Sequence, residues 1–283
     1  MILRPAEAGH GIVVRRVDEK SADPVIPARW DLVEQSPLCT KLVNADGVSV
    51  STVEHVTAAL AGCGVHNVLI EIDGPEIPIL DGSSLPFVRG IFNAGIADLS
   101  APLEAIEILK PVEVQTEHAR ARLVPADTLE ISFEIEFAER AIGRQQKELT
   151  LSNGAFAREL CDSRTFCRQS DVDAMRANGL ALGGTLRNAV VFDGEAVLSP
   201  GGLRHRDEPV RHKMLDALGD LSLAGAPILG RYIGHKAGHA VTNSLLRALF
   251  AQDDAWRRVV LTEEQQAQLP GTGLKSTDIS AVA

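Results

Sequence analysis

One segment constrains the fold more than any other: Asp207 to Leu223, DEPVRHKMLDALGDLSL, which reads as an amphipathic helix with three ionisable side chains in one stripe. Pro209 suits a first helical turn, where no amide partner is lost, and Asp207 and Glu208 place negative charge at the positive end of the helix. His212, Asp216 and Asp220 recur at steps of four, so each projects from the same face one turn above the last. Met214, Leu215, Leu218 and Leu221 fill much of the remaining circumference, which predicts a helix buried on most sides. A polar stripe in such a helix is costly. A neutral imidazole and a carboxylate rooted about 6 Å apart suit a divalent metal. A solvated face or a satisfied core histidine has the same short pattern.

Two other stretches carry groups of matching chemistry. In Ser51 to Cys63, STVEHVTAALAGC, Thr52 or Ser51 is placed to cap a helix that the alanines and Leu60 favour. Glu54 and His55 fall in its first turn and point about 100° apart, so one of the pair is a ligand and its neighbour sits close to a metal-bound water. The alternative is a capping glutamate beside an incidental histidine. Arg231 to Phe250, RYIGHKAGHAVTNSLLRALF, reads as a strand, a glycine turn at Gly238 and a helix opening near His239. There His239 either caps the helix or is held protonated by a carboxylate, for which Asp220 is the unassigned acid of the stripe.

Together these residues compose one hydrolytic site. His55, His212 and Asp216 are three protein ligands, the number that a catalytic zinc keeps. Glu54 is then the base, and His239, steadied by Asp220, the acid facing the developing charge. The four cysteines, Cys39, Cys63, Cys161 and Cys167, form no C-x-x-C pair, so reduced thiols and a cytosolic compartment are expected.

VRHKMLDALGDL, STVEHVTAALAGCGVHN, EIPILDGSSLPFV and HKAGHAVTNSLLRAL resemble the zinc deacetylases of lipid A biosynthesis that act on UDP-3-O-acyl-N-acetylglucosamine, with the likeness running from about Leu3 to the C-terminal region. The resemblance implies zinc on His55, His212 and Asp216, Glu54 as general base, and His239 as general acid or electrostatic stabiliser. It implies further that Thr165 steadies the oxyanion and Phe166 touches the sugar, that Lys213 and Lys236 meet the nucleotide diphosphate, and that Phe137 lies near the uracil. The family's architecture is an α+β fold, a two-domain α/β sandwich with the active site between its domains.

The boundary is expected at Leu99 to Leu103, LSAPL, giving an N-terminal domain over 1–101 and a C-terminal domain over 102–283. Strands are predicted at Ile12 to Val17, Leu38 to Val43, Asn67 to Ile72, Ile106 to Val114, Ala121 to Val124, Leu129 to Phe137 and Ala189 to Phe192, with the stretch Pro24 to Pro27 as a turn. Further helices are predicted at Leu85 to Ala94, Asn153 to Leu160 and Asp171 to Ala177, and Asp81 as a turn or cap residue. The resemblance places an inserted β-α-β element at about 165–192, forming a passage for an acyl chain, with Ala181, Leu182 and Thr185 as its wall; an ordinary glycine-rich loop is the alternative.

The chain departs from the family pattern in two places. The family's first strand and Gly-Leu-His loop precede the point where this sequence starts; loss of that strand would be expected to expose a sheet edge and remove part of the acyl passage. Arg168 and Gln169 stand where an aromatic and an apolar residue follow Phe166 in the family. A non-catalytic UDP-sugar binding protein and a zinc amidohydrolase for a different acylated sugar are the rival readings. The 45% hydrophobic content of the 283 residues supports a substantial core, and the net charge of −10 disfavours nucleic acid as a partner. A small UDP-linked acylated amino sugar remains compatible with isolated lysines in a pocket. With no apolar run near the roughly 18 residues of a membrane span and no leader-like start, the expectation is a soluble cytoplasmic protein.

Overall fold

The computed structural model describes residues 1–36, 38–177 and 183–279. It is an α+β structure, a two-domain α/β sandwich. In its N-terminal part, Ile2–Pro5, Val68–Ile72, Ile12–Arg16 and Val25–Pro27 form a sheet in that order. Ile12–Arg16 and Val68–Ile72 run parallel. A parallel pair cannot be closed by a hairpin, so the chain crosses over between them. The crossover contains a small sheet, Val33–Glu34, Lys41–Val43 and Ser49–Val50, and then the helix Glu54–Gly62.

The C-terminal part repeats this device. In its seven-stranded sheet Leu129–Glu136 pairs in parallel with Ile228–His235, and the crossover between them ends in the helix Glu208–Ser222. The same crossover carries Phe166–Arg168, the helix Gln169–Ala177 and Val190–Asp193, whose two strands are also parallel. Each part therefore delivers one crossover helix to the middle of the molecule, and the two helices pack against each other. One apolar core runs through both parts, from Val14, Val56 and Ile70 to Met214, Leu215 and Tyr232. Among the described residues no helix is long and apolar enough to cross a membrane.

The helices Glu54–Gly62, Leu85–Ala94, Glu208–Ser222 and His239–Phe250 stand where periodicity and turn chemistry place them. The strand expected over Ile106 to Val114 is instead two, Glu104–Ile108 and Val112–Gln115, because Pro111 between them has no amide to donate to a ladder. Val25–Pro27, read as turn, is an edge strand, the one sheet position that tolerates a proline. Arg144–Thr150 and Trp256–Val260 escaped the sequence reading. The first, RQQKELT, is a largely polar edge strand without an apolar alternation. The expected cap of the first crossover helix is also corrected: neither Ser51 nor Thr52 caps it, and Thr52, at φ +59°, gives its hydroxyl to Glu76 instead.

The crossing of the two central helices is set by Gly219. A Cβ there would lie 2.1 Å from the carbonyl oxygen of Glu54 and 3.0 Å from the Thr57 hydroxyl. The backbones come close enough for Thr57 Oγ1 to lie 3.1 Å from the Gly219 carbonyl oxygen. Gly219→Ala should therefore lower stability by about 1–3 kcal/mol in urea unfolding, because it pushes against rigid backbone. Gly90→Ala, on an exposed helical surface with no atom near the new methyl, should instead stabilise by about 0.5–1 kcal/mol.

Candidate metal centre

The helix Glu54–Gly62 is buried along almost its whole length, and Glu54 and His55 enter the interface with the second helix from its first turn. From the facing helix come His212, Asp216 and Asp220, all buried. The ligand-capable atoms of His55, His212 and Asp216 lie within 4.8 Å of one another. Asp216 Oδ1 is 3.2 Å from His212 Nε2 and 3.7 Å from His55 Nε2.

The arrangement is prepared for a cation. Asp216 Oδ1 is buried without a hydrogen-bond partner, a costly state for a carboxylate oxygen unless an ion completes it. Its other oxygen is held 2.8 Å from the Lys213 ammonium. His212 Nδ1 donates to the Ser163 carbonyl at 3.0 Å, which leaves the Nε2 lone pair for a ligand bond. Burial and the neighbouring His212 push His55 down to about 3, so its imidazole is neutral. Burial would raise Asp216, but His212 and Lys213 outweigh it and keep the carboxyl ionised. Two neutral nitrogens and one anionic oxygen are a donor set for a divalent metal.

Glu54 and His239 flank this triad. Glu54 Oε1 is 3.8 Å from His239 Nε2. Burial pushes the Glu54 carboxyl up to about 7, and Asp216 and Asp220 add to that rise while His239 opposes it. His239 opens the helix His239–Phe250 after Gly238, and its Nδ1 donates to Asp220 Oδ2 at 2.9 Å. Burial would lower this imidazole, but Asp220 and Glu54 outweigh it and raise it to about 9. The protein thus holds a base of near-neutral affinity beside a protonated imidazole whose Nε2 faces the triad.

The remaining expected site residues divide. Phe166 lies edge-on to His212 with centroids 6.4 Å apart, and Phe137 packs edge-on to Phe166 at 5.5 Å. Thr165 immediately precedes Phe166, and its amide donates to the Gly82 carbonyl at 2.7 Å. Lys213 points at Asp216, and Lys236 is exposed with its ammonium on Glu136. Thr185 sits in an exposed turn closed by Asn188, while Ala181 and Leu182 lie outside the described residues. The Arg168 guanidinium is taken up by Asp171 through two hydrogen bonds, and Gln169 by Asp173. Asp81 is the turn residue expected, accepting from the amide and hydroxyl of Ser83, and it also receives Arg204.

Three contributors had no signal in the sequence. Glu208, read there as a charge at a helix start, is fully buried and clamps Arg164 through both carboxylate oxygens, next to the Ser163 carbonyl that orients His212. Ser84 donates to the His55 carbonyl at 2.7 Å. Thr40 gives its amide to Glu54 and its hydroxyl to Asp220. None belongs to a spaced pattern.

Removing a ligand should remove the ion: His212→Ala and Asp216→Ala should each purify with far less metal than the roughly equimolar content expected of the parent, whereas His239→Ala should keep it, as elemental analysis would report.

Residues 1–251 match the UDP-3-O-acyl N-acetylglycosamine deacetylase family. A UDP-3-O-acyl-N-acetylglucosamine deacetylase of Phenylobacterium zucineum (strain HLK1) is 50% identical over 262 residues, covering 93% of this chain and 89% of the relative. Proteins of the same name from Shewanella oneidensis and Shewanella sp. (strain W3-18-1) are 45% and 46% identical, covering 95% of this chain and 89% and 87% of their own lengths. The chain belongs to the UDP-3-O-acyl N-acetylglycosamine deacetylase family.

Proposed function

We propose that the protein hydrolyses the N-acetyl group of UDP-3-O-acyl-N-acetylglucosamine, releasing acetate and the free amine, as a zinc enzyme of lipid A biosynthesis working in the cytoplasm. The observation that carries the reading is the convergence of Glu54, His55, His212, Asp216 and His239 at the crossing of two helices, in a chain of this family.

His55, His212 and Asp216 would hold the zinc, which when bound supplies Lewis acidity toward the acetamide carbonyl and makes water acidic enough to be a nucleophile near neutral pH. Glu54 accepts the proton of the attacking water. Its carboxylate is suited to that, because burial has brought its proton affinity close to neutral. His239 carries the opposite duty. With Nδ1 committed to Asp220, its Nε2 proton is free to stabilise the developing charge and to pass to the departing glucosamine nitrogen. Thr165 is assigned to the oxyanion and Phe166 to the sugar, for which the edge contact of Phe166 with His212 gives support. Lys213 and Lys236 are assigned to the diphosphate and Phe137 to the uracil. Engaging the diphosphate would require each lysine to give up or share its present carboxylate. The segment 165–192, with Ala181, Leu182 and Thr185, is assigned to the acyl chain.

Glu54→Ala tests the base. Turnover of UDP-3-O-acyl-N-acetylglucosamine should fall by roughly 10²–10⁴-fold while metal content is kept; wild-type turnover in this variant would refute the assignment. The pair also fixes the sense of the pH dependence. Catalysis needs Glu54 unprotonated and His239 protonated, so kcat/KM should rise with pH on the acidic side and fall on the alkaline side. A dication held by His55, His212 and Asp216 would shift both limbs to lower pH than the about 7 of Glu54 and the about 9 of His239. A profile without an alkaline fall would count against His239.

A further inference from the structure

Glu54 and Asp220 come from different halves of the molecule, yet each spends one carboxylate oxygen on His239 and the other on the same residue. Glu54 Oε1 and Asp220 Oδ2 face the two nitrogens of the imidazole, at 3.8 and 2.9 Å. Glu54 Oε2 accepts from the amide of Thr40 at 3.1 Å, and Asp220 Oδ1 accepts from the hydroxyl of Thr40 at 2.6 Å. Thr40 is 2% exposed and immediately precedes the strand Lys41–Val43. Its carbonyl accepts in turn from the amide of Val53, the residue that opens the helix bearing Glu54 and His55.

We infer that Thr40 is a positioning residue for the deacetylation, a three-point clamp that sets the rotamers of Glu54 and Asp220 on either side of His239. The inference rests on the roles proposed above for Glu54 and His239. A carboxylate is free to turn about its terminal bond, and an oxygen committed to a buried donor removes that freedom. The hydroxyl is short of alternatives: at 2.6 Å from Asp220 and shut off from water, it has a charged acceptor that itself has one oxygen left for the imidazole. Without it, Asp220 loses the donor that opposes the pull of His239, and the imidazole loses the fixed direction of its Nε2–H bond. The Thr40 amide and hydroxyl are spent on Glu54 and Asp220 rather than on His55, His212 or Asp216, so the proposed metal ligands should stay in place when the hydroxyl is removed.

The test is Thr40→Val, which keeps shape and backbone amide and removes only the hydroxyl, measured beside Thr40→Ser, Glu54→Ala and the parent chain with UDP-3-O-acyl-N-acetylglucosamine. Thr40→Val should lose roughly 10–100-fold in kcat while KM stays within about twofold and metal content is unchanged; Thr40→Ser should regain most of the loss. Thr40→Ala removes the same hydroxyl with less bulk and carries the same expectation should the valine variant not fold. Parental kcat in the variants lacking the hydroxyl, a loss that lies in KM or in metal content, or Thr40→Ser as slow as Thr40→Val would each overturn the clamp while leaving the base assignment standing. Parental turnover in Glu54→Ala would overturn both.

Discussion

Everything in this molecule depends on burying ionisable groups where two helices cross. Taking a single charge out of water costs several kcal/mol even after relaxation, and here Glu54, His55, His212, Asp216 and Asp220 are all buried, with His239 nearly so. The cost is offset because the groups compensate one another, partly within the second helix, where Lys213 meets Asp216, and partly across the interface, where His239 meets Glu54 and Asp220. His55 and Glu54 come from the first crossover helix, the stripe of His212, Asp216 and Asp220 from the second, and His239 from the helix behind them. The two halves are therefore bound by electrostatics as well as by apolar contact. Gly219 makes this possible, since the helix backbones meet closely enough to bring short side chains such as aspartate within reach of the facing histidine.

The same compensation sorts the protonation states. Within a few ångströms the protein keeps Asp216 ionised, His55 neutral, His239 protonated and Glu54 at near-neutral affinity. The sorting follows from which partner each group meets. Asp216 has Lys213 on one oxygen and imidazoles at the other, whereas His239 lies between two carboxylates. Groups of distinct protonation state thus arise from four residue types by placement alone.

The secondary-structure frame is ordinary by comparison and was largely legible. A step of four in DEPVRHKMLDALGDLSL, the Ala-rich body after Glu54 and His55, and Gly238 ahead of His239 each announced a helix that the structure contains. Two of the misread strands share a cause. Arg144–Thr150 and Val25–Pro27 are edge strands, whose exposed or interrupted composition carries little of the alternation that burial imposes on central strands such as Leu129–Glu136. The cap assigned to Thr52 failed because its hydroxyl is claimed by Glu76, a partner 24 residues away that no local rule contains.

The sequence by itself supplied the candidates for the site, the stripe of His212, Asp216 and Asp220 at steps of four and the adjacent Glu54 and His55, because spacing along a helix is a local property of the chain. It also determined the family, through several long motifs in one order. Only the tertiary structure decided that His55 meets a pair 157 and 161 positions further on, that Thr40 spans Glu54 and Asp220, and that Glu208 neutralises Arg164 behind the His212 ring. Those contacts depend on two crossovers converging at one glycine. Convergence in space is fixed by packing of the whole core, which no short stretch of sequence encodes.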